Sequence, residues 1–79
     1  MGKPTEAESR RWKRTFGYRL RVLREEASLS QAALAERAGL HPTYVSGIER
    51  GLRNVSLVNM VALAKALRRP ASALLEGLE

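Results

Sequence analysis

The sequence predicts a compact all-α domain of five helices, and three observations carry that prediction. Apolar residues recur at steps of three and four, and helix-capping residues stand between the apolar segments. No stretch of four or more residues alternates apolar and polar with β-branched enrichment, which disfavours strands. A chain of 79 residues holds one small domain. A domain this small buries only about 60% of its unfolded surface and commonly leans on disulfides, a metal or a partner subunit. The absence of cysteine excludes disulfides and thiolate metal sites. Aspartate is missing too, and His41 is the single histidine, so neither a Ser-His-Asp triad nor a cluster of imidazole ligands can be built. No metal, no cofactor and no enzymatic activity are expected.

The first apolar stripe runs Trp12, Phe16, Leu20, Leu23 and Ala27, at helical spacing. Thr5 followed by Glu8 makes a capping box at its start. Gly17 interrupts the stripe and lowers helix propensity by about 1 kcal/mol against alanine. Residues 1–14 are therefore expected as a basic extension able to continue the first helix, with residues 15–79 forming the domain proper. Ser30 caps a second helix, Gln31 to Ala38, which Gly39 ends. Pro42 opens a third, carrying Val45 and Ile48 and stopping near Gly51. Arg53-Asn54-Val55 reads as a loop, and Ser56 caps a fourth helix burying Leu57, Met60, Val61, Leu63, Ala64 and Leu67. Pro70 ends it and opens a short fifth helix from Ala71 to Glu76.

Charge gives the first indication of a partner. The formal net charge is +6, and the first 24 residues hold all of it: eight bases against two acids, with six of each in the remainder. A polyanion is implied, either nucleic acid or an anionic membrane surface, against the plainer reading of a solvated basic face. No apolar run approaches the roughly 18 residues of a membrane span. The polar start, Met1 to Glu6, lacks the apolar core of a secretory signal, so a cytoplasmic location is expected. A membrane role for the Arg10–Arg21 stripe conflicts with the core's need for that helix's apolar residues.

The twenty residues from Gln31 to Arg50 narrow the function. Leu34, Ala35 and Ala38 face inward on one helix, with Ala35 small where a second helix crosses. Gly39 supplies a left-handed turn, Leu40 plugs the corner, and Val45 and Ile48 anchor the next helix. This is the helix-turn-helix pattern, whose second helix enters the DNA major groove.

The residues Leu29-Ser30-Gln31, Leu34-Ala35, Ala38-Gly39-Leu40, Tyr44 to Gly51 and Arg53 to Leu57 resemble the Xre family, the helix-turn-helix domains of phage repressors and Cro. The run Thr43 to Arg50 followed by Arg53-Asn54 is most similar to the controller proteins of restriction–modification systems. The resemblance spans roughly Phe16 to Leu75. It implies a phage-repressor-like fold and a sequence-specific transcriptional regulator, acting as a homodimer on a partly palindromic double-stranded operator, with RNA polymerase as a further candidate partner. A stand-alone repressor of another operon, or an adaptor or antitoxin using the same fold, are the alternatives.

Individual roles follow. Gln31 opens the second helix, where backbone N–H groups favour phosphate, and the resemblance supports a phosphate contact there. Thr43 and Ser46 on the outward face of the third helix can bond base edges, and Gly47 allows close approach. Pro42 stands where many relatives carry a polar residue, which shifts recognition toward fewer contacts and DNA shape. His41 can cap the helix or touch phosphate. Tyr44 either bonds phosphate or packs at the surface. Arg50 and Arg53 can reach phosphate or a base edge, and the resemblance to controllers favours Arg53 as a base reader. Asn54 is placed with the phosphate contacts. The family pattern pairs Glu49 with Arg24 as a structural ion pair. Leu74, Leu75 and Leu78 exceed what one short terminal helix needs and are assigned to dimerisation, through residues 57–78.

Overall fold

The computed structural model describes residues 2–78, and its regular elements are all helical. Four α-helices run in order: α1 (Glu6–Glu26), α2 (Gln31–Ala38), α3 (Pro42–Glu49) and α4 (Leu57–Ala66). They are followed by a single 3₁₀ turn, Ala71–Leu74. That turn replaces the expected fifth helix. No side chain caps its start, and the segment makes short i→i+3 bonds such as Ala73 N–H to Pro70 O.

Each start follows from a cap read in the sequence. The Thr5 hydroxyl accepts from Glu8 N–H at 3.0 Å while the Glu8 carboxylate accepts from Thr5 N–H at 2.9 Å. That bond to the Thr5 backbone holds the Glu8 carboxyl below its ordinary range. Ser30 and Ser56 accept from Ala33 and Asn59 N–H. Two glycines with positive φ, Gly39 at 71° and Gly51 at 76°, end α2 and α3 in the same way. Leu40 N–H reaches back to Ala35 O, and Leu52 N–H to Gly47 O.

The core is one cluster drawn from every element: Phe16, Leu20 and Leu23 of α1, Leu34 and Ala35 of α2, Val45 and Ile48 of α3, Leu63 and Ala64 of α4, then Leu67 and Leu74. α3 packs on both α1 and α2, and α4 packs on α2 and the 3₁₀ turn. Arg19 ties the turn back to α1, donating to Ala73 O at 3.1 and 3.2 Å and pairing with Glu76 at 3.0 Å.

Three burial expectations are corrected. Leu74 is fully buried in the core of its own chain, because the tight 3₁₀ turn points it inward, so it cannot serve dimerisation. Leu57, in the first turn of α4, and Val61, one turn on, are exposed and not buried with Leu63 and Ala64. Ala27 is the exposed C-cap of α1, one residue past its last turn. Gly17 does not fray α1: it is buried where α1 crosses the end of α3, and a Cβ there would collide with Ile48 O and stand 2.9 Å from Glu49 O. α1 is therefore one unbroken helix that includes the basic segment before Thr15. Trp12, in that segment, walls a cleft of about 140 Å³ with Phe16, the 53–55 loop, Met60, Leu75 and Leu78.

Candidate nucleic-acid interface

The interface is built around α3. Arg24 and Gln31 fix its far end from behind: Arg24 grips Glu49 with two bonds, Nε to Oε2 at 2.6 Å and Nη2 to Oε1 at 3.0 Å. A third Arg24 bond goes to Leu29 O at 2.8 Å, which ties the α1–α2 linker into the same knot. Both side chains are largely buried, and the bond to Glu49 raises the Arg24 pKa further above its ordinary value. Gln31 Nε2 donates to Glu49 Oε1 at 3.0 Å. Its side chain is thus partly committed inward. For a phosphate it keeps the second amide hydrogen and the backbone N–H at the start of α2.

The outer face of α3 carries the other candidates. Thr43 is exposed, Ser46 is half-buried, and Pro42 is exposed at the first position. His41 is the N-cap: its Nδ1 accepts from Thr43 N–H at 3.1 Å, which places the ring proton on Nε2 as an outward donor. Arg50 is exposed at the end of the helix, with Nε 3.4 Å from Ser46 O. Asn54 is exposed in the following loop.

Gly47 departs from expectation. It lies on the outer face but is buried, because Arg53 covers it: a Cβ on Gly47 would stand 3.0 Å from Arg53 Nε and 3.2 Å from Cγ. The turn at Gly51 folds the chain back along α3, and this brings Arg53 over Gly47 and its guanidinium carbon 5.7 Å from the centre of the Tyr44 ring. The Tyr44 hydroxyl in turn accepts from Asn59 Nδ2 of α4 at 3.2 Å. Sequence reading missed Asn59, since nothing in its spacing from Tyr44 signals a contact between α3 and α4.

The basic excess partly cancels inside the fold. Arg10, Arg19, Arg21 and Arg24 pair with Glu6, Glu76, Glu25 and Glu49. Lys3, Arg11, Lys13 and Arg14 form no ion pair among the described residues. Arg14 packs over Gly51, and Lys13 borders the 53–55 loop, so this charge adjoins the end of α3. No described helix is long and apolar enough to cross a membrane.

The helix-turn-helix family model matches residues 20–74, which include α2, α3 and α4 entire. The chain belongs to the helix-turn-helix family. This helix-turn-helix protein is 49% identical over 53 residues to Control protein C.BamHI of Bacillus amyloliquefaciens, a match covering 66% of this chain and 65% of that one. It is 43% identical over 65 residues to Control protein C.MunI of Mycoplasma sp, covering 81% and 88%. Among solved structures it resembles the restriction-modification controller protein C.AhdI from Aeromonas hydrophila, with TM-score 0.78 and 52% identity over 78% of this chain and 94% of that one. The resemblance to controllers seen in Thr43 to Asn54 therefore extends across most of the helix-turn-helix protein.

Proposed function

We propose that this chain is a transcriptional regulator that binds a partly palindromic DNA operator as a homodimer, in the manner of a restriction–modification controller, and acts in the cytoplasm. The observation that carries the reading is the outer face of α3. There Arg53 lies across Gly47, flanked by Thr43 and Ser46, with unpaired bases of α1 continuing the charge beyond Gly51. Arginine in such a place offers two parallel N–H donors, the geometry that guanine O6 and N7 accept. Thr43, Ser46 and Arg53 are the base readers in this reading. The His41, Tyr44, Arg50 and Asn54 side chains, with the start of α2 at Gln31, hold phosphate.

The dimer surface is the outer side of α4. Leu57 and Val58 are 72% and 75% exposed, and Val61 lies one turn on. Exposed apolar residues grouped on one helix face of so small a domain are covered by a second copy, with Leu75 and Leu78 at the edge. A dimer presents two α3 helices related by two-fold symmetry, which matches a palindromic site.

The test is selection from randomised duplexes by the purified protein, followed by Arg53→Ala on the selected site and on scrambled DNA. A regulator enriches one paired motif, and Arg53→Ala weakens the selected site more than the scrambled one, by about 1–3 kcal/mol per good base contact. Enrichment of no motif removes the reading in favour of an adaptor or antitoxin. Similarity to the immunity repressor of Bacillus phage phi105, 42% over 60 residues, supports the second reading of a stand-alone repressor. Genes next to the operator separate the two, and a rise in transcription on binding brings RNA polymerase into the partner set.

A further inference from the structure

Arg53 is exposed, yet its course is fixed by three other residues. Gly47 lacks the side chain that would displace it, and the Tyr44 ring lies beneath its guanidinium. Asn59, on α4, holds the Tyr44 hydroxyl. Among the described residues the Arg53 guanidinium donates to no protein acceptor, so its N–H groups remain for a ligand. An arginine left free on a surface loses substantial rotamer entropy when it is fixed on a base edge. One already laid along the helix loses less.

The Tyr44 hydroxyl is an acceptor toward Asn59, which leaves its own hydrogen pointing elsewhere. A hydroxyl that accepts one bond donates a stronger one, because the two polarise each other. The same amide therefore orients the ring under Arg53 and primes the hydroxyl for phosphate.

We propose that Asn59 is a positioning residue for DNA readout: by holding the Tyr44 hydroxyl from α4 it fixes the platform on which Arg53 lies across Gly47, so that guanine selection by Arg53 depends on a side chain of α4. The proposal rests on Arg53 being a base reader. Asn59 touches no base in this scheme. It acts through Tyr44.

The experiment scans every base pair of the selected operator with wild type and Arg53→Ala, which identifies the pair whose discrimination Arg53 supplies. Asn59→Ala is then measured on the same series, with thermal melting and salt dependence alongside. The expected result is a loss of discrimination at that pair of about fivefold or more, toward the lower end of what a good base contact provides. Other pairs keep their ratios, and the melting temperature stays close to wild type. Tyr44→Phe removes the same hydrogen bond from its other end, and adding Asn59→Ala to it changes discrimination no further. Unaltered discrimination in Asn59→Ala, with or without a uniform fall on all sequences, overturns the proposal. Failure of the Arg53→Ala scan to reveal any pair overturns instead the assignment of Arg53, so the two failures are distinct.

Discussion

Arg24 and Glu49 meet from helices twenty-five positions apart, with Arg24 Nε 2.6 Å from Glu49 Oε2 and the Glu49 side chain only 4% exposed. The pair closes α1 onto the last turn of α3, and Gln31 adds a third partner from α2. Three helices thereby converge on one carboxylate, which fixes where the end of α3 can lie.

Glu49→Ala leaves Arg24 charged and poorly hydrated, and it also unpairs the Gln31 amide. Breaking such a pair typically costs about 3–5 kcal/mol. For a domain of this size that lowers the melting temperature by more than about 10 °C. Thr43→Ala, on the exposed face, should change stability by less than about 0.5 kcal/mol. Thermal melts of the two variants side by side check the contrast, and equal melting points remove the structural role of Glu49.

Gly17 yields a prediction opposite in sign to helix propensity. Alanine at an open helical site gains about 1 kcal/mol over glycine. Here the added methyl meets the Ile48 and Glu49 carbonyl oxygens, so Gly17→Ala should destabilise by at least about 1–3 kcal/mol. Chemical denaturation measures it, and a stabilised variant would mean that α1 and α3 do not cross so closely.

Two apolar groups separate by burial. Leu74→Ala hollows the core and should cost about 2–5 kcal/mol in folding. Val58→Asp leaves the fold intact and abolishes the dimer. Sedimentation equilibrium at tens of micromolar reads the second effect, and a Val58→Asp protein that still sediments as a dimer places the interface elsewhere.

Phosphate contacts should appear in the salt dependence. Two copies at +6 each give a dimer of +12, enough to engage about six to ten phosphates and produce a log–log slope of roughly −5 to −9. Arg50→Ala should weaken all sequences alike and make the slope shallower by about one per lost contact. A change in sequence preference would instead place Arg50 among the base readers.

Acid should loosen the start of α1. The Glu8 carboxyl titrates below its ordinary value because the charged form accepts from Thr5 N–H, with a further bond to the Thr5 hydroxyl and nearby Arg11 acting in the same direction. A lowered folded-state pKa stabilises above the unfolded value, and that contribution disappears as pH falls through the folded value. An NMR titration should place the Glu8 midpoint below that of an ordinary glutamate, with the Thr5 amide losing its capped shift in step.

Much of the fold was legible because caps and stops are local chemistry. Thr5 with Glu8, Ser30, Gly39, Pro42 and Ser56 each act within three or four residues of themselves, and each stands where the sequence places it. What escaped depends on distant neighbours. Gly17 reads as a weak helix former and Gly47 as room for close approach, and only the crossing of α3 and the return of Arg53 reveal why a side chain is excluded at each. Leu74 and Leu57 are both leucines at helical edges, and only packing sends one into the core and the other to solvent. The Arg24–Glu49 pair was reachable through family resemblance, whereas the Asn59–Tyr44 bond required the structure.

The cleft beside the 53–55 loop also gives the protein an optical reporter. Trp12 is its single tryptophan, and it shares that cleft with Arg53, Asn54 and Val55. Its indole Nε1 is shielded from solvent and has no hydrogen-bond partner among the described residues. Indole emission shifts with polarity and is quenched by nearby charge, so any change in the loop's path on operator binding alters the fluorescence of the unlabelled protein. Stopped-flow mixing with operator can then time the seating of the loop separately from the initial electrostatic encounter, with no dye attached to either partner.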